Sequence, residues 1–191
     1  MNSGNEVSVF GLIRVNIKTN FGMFACYGVS SPGTWNLRQV GSTGRASFIS
    51  GQDNTGAGEI EGTPAGNTSD LEGRGFVLLS GFFDGSTNEW RLYENDSLMH
   101  TNTNTFTLSS AQSFYIGHRN NSFKLDGDIV ELLVYNRNLS DSEKTFVKTY
   151  LYYKYAPPVN LGPDITANGF CDTTIHAGVR FTNYVWNTGN V

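Results

Sequence analysis

The stretch Leu125–Glu143, LDGDIVELLVYNRNLSDSE, decides how the rest of the chain reads. Its first part is apolar and β-branched, and it carries Asp126, Asp128 and Glu131 in the spacing acid-x-acid-x-x-acid. In a regular strand, residues i and i+2 share a face, so Asp126 and Asp128 would stand about 6.5 Å apart. Glu131 would turn to the opposite face unless a bulge intervened. Retaining glycosidases hold two carboxyls roughly 5–5.5 Å apart, so the spacing raises catalysis as one reading. The other reading is structural: Glu131 is costly to bury alone, and Arg137, Lys124 or backbone amides could hold it. The second part of the stretch, Ser140-Asp-Ser-Glu143, is a capping box, in which the Ser140 hydroxyl and the Glu143 carboxylate can each accept from the other's backbone amide. Strand chemistry therefore gives way to a helix start within a few residues.

Downstream, Phe146, Val147, Tyr150, Leu151 and Lys154 lie at helical spacing and Pro157-Pro158 stops the helix. The pattern predicts one amphipathic helix, Asp141 to Tyr155, packed on the edge of the domain. Upstream, strand signals are short and separated by turn clusters. They fall at Val7–Ile17, Phe21–Tyr27, Trp35–Val40, Ala46–Ile49, Phe76–Phe83, Glu89–Glu94, Leu98–His100, Ser113–Gly117, Lys124–Val130 and Glu131–Tyr135. FVLLSGFF (Phe76–Phe83) is continuously apolar, as for a strand covered on both faces. Asn95-Asp96 has hairpin-turn chemistry. Residues 51–75 read as long loops around one weak strand near Glu59-Ile60-Glu61. The fold class expected is all-β, a two-sheet antiparallel jelly-roll sandwich with one C-terminal α-helix.

Composition agrees. Of 191 residues, 13% are aromatic and 22 are glycine, a balance typical of turn-rich β domains. The net charge of -4, with no basic block, gives no electrostatic support for nucleic-acid binding. No apolar run approaches the length of a membrane span, and the opening MNSGNEVSVFGLIRV lacks the features of a signal peptide. The two cysteines, Cys26 and Cys171, fall in different predicted domains, so a disulfide between them is not expected.

The residues Asp84-Gly85, Leu92-Tyr93-x-Asn95, Ile116-Gly117, Gly127-x-Ile129-x-Glu131, Tyr135-Asn136-Arg137, Leu139-Ser140 and Glu143 together resemble the laminin-G-like branch of the concanavalin A-like lectin/glucanase superfamily. The resemblance spans about residues 6–155, with its specific part at the C-terminal end. Asp96 departs from the family pattern, which has Gly there. The resemblance implies a jelly roll with rim loops and a calcium ion among them. The tail, with Leu161-Gly162-Pro163-Asp164, Cys171, His176-Ala177-Gly178 and Tyr184-x-Trp186-x-x-Gly189, resembles the opening of PKD/Ig-like repeats of large Bacteroidetes surface proteins. That implies a domain at 1–156, a linker at 157–160 and an incomplete repeat at 161–191, too short to bury a core of its own. The chain is accordingly expected to be part of a longer protein.

Two function classes follow. One is non-catalytic recognition of a glycan or matrix ligand, an adhesion module of a large secreted or cell-surface bacterial protein. Within it, a spacer domain without ligand is the plainer form. The other is a glycoside hydrolase or lyase of the same fold. Laminarinase-type enzymes carry Glu-x-Asp-x-x-Glu, whereas this chain has Asp, Asp and Glu, placed near the end of the domain. No catalytic residue is therefore assigned. Sugar recognition needs aromatic faces and planar polar partners. The candidates are Trp35, Arg38, Trp90, Tyr93, His118, Arg119 and Asn120, with core packing the alternative for each Trp. His118–Ser122 reads as an exposed turn. Calcium takes loop carboxylates, and the candidates are Asp53, Asp84, Asp126 and Asp128.

Overall fold

The computed structural model describes residues 5–29, 33–50, 69–103, 107–109 and 112–155. Nine strands and one helix run in the order β1 (Val7–Ile17), β2 (Met23–Tyr27), β3 (Trp35–Gln39), β4 (Ala46–Ser50), β5 (Val77–Asp84), β6 (Glu89–Glu94), β7 (Ser97–Thr103), β8 (Phe114–Ile116), β9 (Asp126–Tyr135) and α1 (Asp141–Tyr155). The strands form a five-stranded sheet, β7-β6-β5-β1-β9, and a four-stranded sheet, β4-β3-β2-β8, with antiparallel pairing throughout. The predicted all-β sandwich with a C-terminal helix is the observed architecture. The residues up to Ser140 form one compact unit, and α1 belongs to a second. The expected linker and repeat at 157–191, Cys171, Asp53 and the weak strand near Glu59–Glu61 lie outside the described residues.

Alternation along the strands builds the core. Val7, Val9, Ile13 and Val15 of β1 point inward, with Val77, Leu79 and Phe83 of β5 and Trp90 and Leu92 of β6. The other sheet answers with Ala25, Tyr27, Trp35, Leu37, Ala46 and Phe48. Aromatic rings join the layers: Phe48 lies 5.9 Å from Trp35 and 5.0 Å from Trp90, which stacks at 4.4 Å on Phe83. Gly81 makes room for this: a Cβ there would sit 2.7 Å from the Phe48 ring. All of β5 except Asp84 is buried, as its unbroken apolar run predicts.

One element differs from its prediction. Lys124–Val130 and Glu131–Tyr135 are a single strand, β9, and the break seen in the sequence is a bulge inside it. Leu12 pairs with Glu131 and the next residue, Ile13, pairs with Ile129, so Val130 is the extra residue. Ile129, Leu132 and Val134 all pack on the core despite their odd spacing, because the bulge resets the alternation. Within α1, Val147 and Leu151 are buried one turn apart, whereas Phe146 of the predicted apolar stripe is 76% exposed. No helix among the described residues is long and apolar enough to cross a membrane.

Candidate functional site

On the four-stranded sheet, inward Trp35 and Leu37 alternate with outward Asn36 and Arg38, and Ser47 of β4 stands directly across from Arg38. These three outward polar residues are buried, at 1% exposure for Asn36, 5% for Arg38 and 0% for Ser47. The Asn36 Oδ1 and Ser47 Oγ atoms have no hydrogen-bond partner although both are buried, an expensive arrangement in a protein interior. Met23, opposite Arg38, and Cys26, opposite Asn36, complete the floor. Burial pushes the Cys26 thiol up to about 11 against the opposing pull of the Arg119 guanidinium, so the group is a neutral thiol whose Sγ contacts the His118 carbonyl at 3.7 Å.

Above this floor the connection from β8 to β9 folds back as a tight hairpin. Arg119 and Ser122 exchange backbone hydrogen bonds, each 2.8 Å long. Between them Asn120 and Asn121 take φ of 45° and 60°, the geometry of a two-residue type I′ turn, which asparagine tolerates better than other side-chain-bearing residues. Asn120 and Asn121 are exposed, whereas His118, Arg119 and Phe123 are half-buried. The Asn121 amide donates to His118 Nδ1 at 3.3 Å, and the His118 ring meets Tyr115 edge-on at 5.5 Å.

Two bulky residues here adopt left-handed backbone conformations: Phe21, φ 56°, and Phe123, φ 52°. Such conformations are rare outside Gly and Asn and are held only where the surroundings enforce them. The Phe123 carbonyl accepts from the Met23 amide and the Phe21 amide donates to the Gly41 carbonyl, which fixes both. Their rings meet at 6.0 Å. Arg38 lies 4.4 Å over Phe21 and Arg119 lies 4.5 Å over Phe123. A guanidinium–ring–ring–guanidinium row results, with the buried polar groups at its foot. Burial and the nearby Arg38 charge both push Arg119 below the usual arginine value.

Of the residues singled out in the sequence, Arg38, His118, Arg119 and Asn120 converge in this one place. Trp35 and Trp90 do not: both are fully buried core residues, with no face to offer a sugar. Tyr93 lies on the five-stranded sheet, packed against Phe82 at 5.6 Å. Phe21, Phe123, Asn36 and Ser47 were missed. The only sequence signal for the two phenylalanines is their position beside turn residues, Asn20-Phe21-Gly22 and Asn120-Asn121-Ser122-Phe123.

The carboxylates do not gather. Asp84 ends β5 beside the Val7 end of β1, whereas Asp126 pairs with Ile17 at the other end of that strand, so no single ion can join them. Asp84 accepts from the Ser86 amide and hydroxyl at 2.9 and 2.6 Å, and the hydroxyl holds its carboxyl below the usual range. Asp128 is ion-paired with Arg14 at 2.6 Å. No group of three His, Cys, Asp or Glu suited to a metal occurs among the described residues. The bulge at Val130 turns Glu131 onto the same face as Asp126 and Asp128, which a regular strand would not have done.

No curated protein matches the sequence. The carbohydrate-binding module CBM40 of the Ruminococcus gnavus IT-sialidase, bound to α2,3 sialyllactose, superposes with a TM-score of 0.58 at 14% identity, over 76% of this chain and 83% of that one. The NanB sialidase of Streptococcus pneumoniae gives a TM-score of 0.57 at 15% identity, over 75% of this chain and 24% of that enzyme. The leech intramolecular trans-sialidase gives 0.56 at 14% identity, over 73% of this chain and 22% of that enzyme. At such identities the likeness is one of fold. A family model covers residues 14–143, more than half of the sequence, and by that match the chain belongs to the concanavalin A-like lectin/glucanases superfamily.

Proposed function

We propose that the domain is a non-catalytic carbohydrate-binding module that works outside the cell, as part of a secreted or surface-attached protein. The observation that carries this is the row Arg38–Phe21–Phe123–Arg119, with His118 and Asn120 on the hairpin beside it. Aromatic rings offer the C–H faces of a sugar an apolar platform, and guanidinium and amide groups bind its hydroxyls in plane. The likeness to a sialidase CBM40 determined with sialyllactose, over most of both chains, supports the same reading. Glycan-array screening of the purified chain tests it. Binding to at least one glycan, lost in Arg119→Ala with unchanged thermal stability, is expected; an array without a single hit refutes the proposal.

A hydrolytic reading has one observation in its favour, the shared face of Asp126, Asp128 and Glu131. Against it, Asp128 is held by Arg14. Release of reducing sugar from β-glucans by the purified chain, abolished in Glu131→Gln, would establish it.

A further inference from the structure

We infer that one side of the sandwich, where β8 and β9 are the outermost strands of their sheets, takes a strand from a partner polypeptide: an extended segment with Val, Ile or Leu on one face and Lys or Arg on the other. The inference is independent of the glycan-binding proposal.

Burial separates this side from the rest of the sandwich. Strands β2, β3 and β4 are buried at every residue, whereas no residue of β8 or β9 is fully buried. The two strands adjoin: the chain passes from one to the other through the Asn120-Asn121 hairpin, and the Leu125 amide donates to the Gly117 carbonyl at 2.8 Å. Phe114 and Ile116 pair with Tyr27 and Ala25, which belong to the core, so they too face between the sheets. Phe114 meets Trp35 there at 5.8 Å. Even so, Phe114 is 36% and Ile116 52% exposed, and Val130 of β9 is 37% exposed. Ile129, Leu132 and Val134 pack on the core but are covered only in part. Apolar side chains that face inward and still meet water, gathered along one seam, mark a surface for association.

The edge specifies an extended backbone as the occupant. β9 has 10 residues. It pairs with β1 along one flank and, among the described residues, with no strand along the other, so alternate residues direct their N–H and C=O groups outward. Such a ladder is completed by an added strand. Charge selects the side chains of that strand. Asp126, Asp128 and Glu131 share the outer face of β9, and cross-strand neighbours favour opposite charges. β1 shows the matching pattern on the filled flank: Ile13 and Val15 enter the core, while Arg14 between them pairs with Asp128 at 2.6 Å. A strand of the same alternation on the open flank would set its apolar residues toward Ile116 and Leu132 and its cations beside Asp126. A second copy of β9 would instead bring two acidic rows together, which the same rule disfavours.

Fluorescence anisotropy of the full chain with the labelled peptide KIRVKIRVK tests the inference. Three control peptides accompany it: the same residues with the alternation broken, the acidic counterpart EIEVEIEVE, and KIRVKIRVK with every backbone amide N-methylated. The alternating basic peptide is expected to bind about tenfold tighter than any control, or better, and to weaken as salt is raised. Val130→Lys adds a charge at an exposed edge position and should weaken it by about tenfold at an unchanged melting temperature. Asp126→Lys, also at an exposed position, should weaken the basic peptide and strengthen the acidic one. No binding of the basic peptide overturns the inference. Equal binding of the broken-alternation or N-methylated peptide does the same, since bulk charge or surface apolarity would then account for it. Concentration-dependent dimerisation in sedimentation velocity, abolished by Val130→Lys, would also overturn it by giving the edge to a second copy. None of these outcomes bears on the glycan array, so the two proposals stand or fall separately.

Discussion

Phe21 and Phe123 hold conformations that cost an L-residue about 1–2 kcal/mol each, and both lie in the row that gathers the two arginines. The other unusual residue of the site is Cys26. It is fully buried and faces Arg119, whose charge would favour a thiolate, yet burial dominates and its folded value is raised from 9.0 to about 11. A thiol that keeps its proton more tightly when folded stabilises the fold in full below the unfolded value, and that contribution disappears as pH rises through the folded one. Urea midpoints taken between about pH 8 and pH 11 should therefore fall more steeply for the native sequence than for Cys26→Ala. Parallel curves would show that the thiol is not desolvated as described.

At the scale of the element, β9 carries the most consequence per residue. The bulge at Val130 lets one strand place Ile129, Leu132 and Val134 in the core and Asp126, Asp128 and Glu131 on the other face. Gly127 explains why the motif begins with glycine. A Cβ there would land on the carbonyl oxygen of Arg14 and 3.1 Å from the Val15 Cα, both backbone atoms of the neighbouring strand β1. Backbone cannot step aside as a side-chain tip can. Gly127→Ala is expected to destabilise the domain by about 1–3 kcal/mol through forced separation of β1 and β9, read as a lowered denaturant midpoint at unchanged slope. A midpoint equal to that of the native chain would place the two strands further apart than they are here. The ion pair Arg14–Asp128 spans the same two strands, but at 43% and 47% side-chain exposure it contributes only about 0–1 kcal/mol.

For the whole molecule, the join between the two sheets is aromatic. Phe48 touches Trp35 within its own sheet and Trp90 in the opposite one, over the gap left by Gly81. Truncation there removes both contacts at once and leaves a cavity in a core that cannot close, because the strands are fixed by their ladders. Phe48→Ala should cost about 3–5 kcal/mol, measured by chemical denaturation. A loss below about 1 kcal/mol would mean that the sheets are held together elsewhere. The arginine row lies on the outer side of one sheet and the three carboxylates on the outer side of the other. Glycan binding and the loss of Glu131 should therefore be independent, since sites on opposite faces share no partners.

Local chemistry was enough to give the strands, the helix and the sandwich. Val7–Ile17, Glu89–Glu94 and Asp141–Tyr155 occur where alternation and the capping box place them. Alternation and capping are written in neighbouring residues, so they can be read without knowing what lies across the sheet. The hairpin at Asn120-Asn121 was legible for the same reason, and with it His118, Arg119 and Asn120. What tertiary structure alone decided was allocation. Trp35 and Trp90 have the composition of sugar platforms, but they point inward by strand parity and are enclosed by Phe48 and Phe83. Phe21 and Phe123, about a hundred residues apart in sequence, meet because β2, β8 and the start of β9 converge, a fact of pairing between distant segments. The face of Glu131 turned on one extra residue in a ladder, visible only against its partner strand. Sequence fixes what each segment can form; which side chains then share a surface depends on register between segments, and register is set by the whole fold.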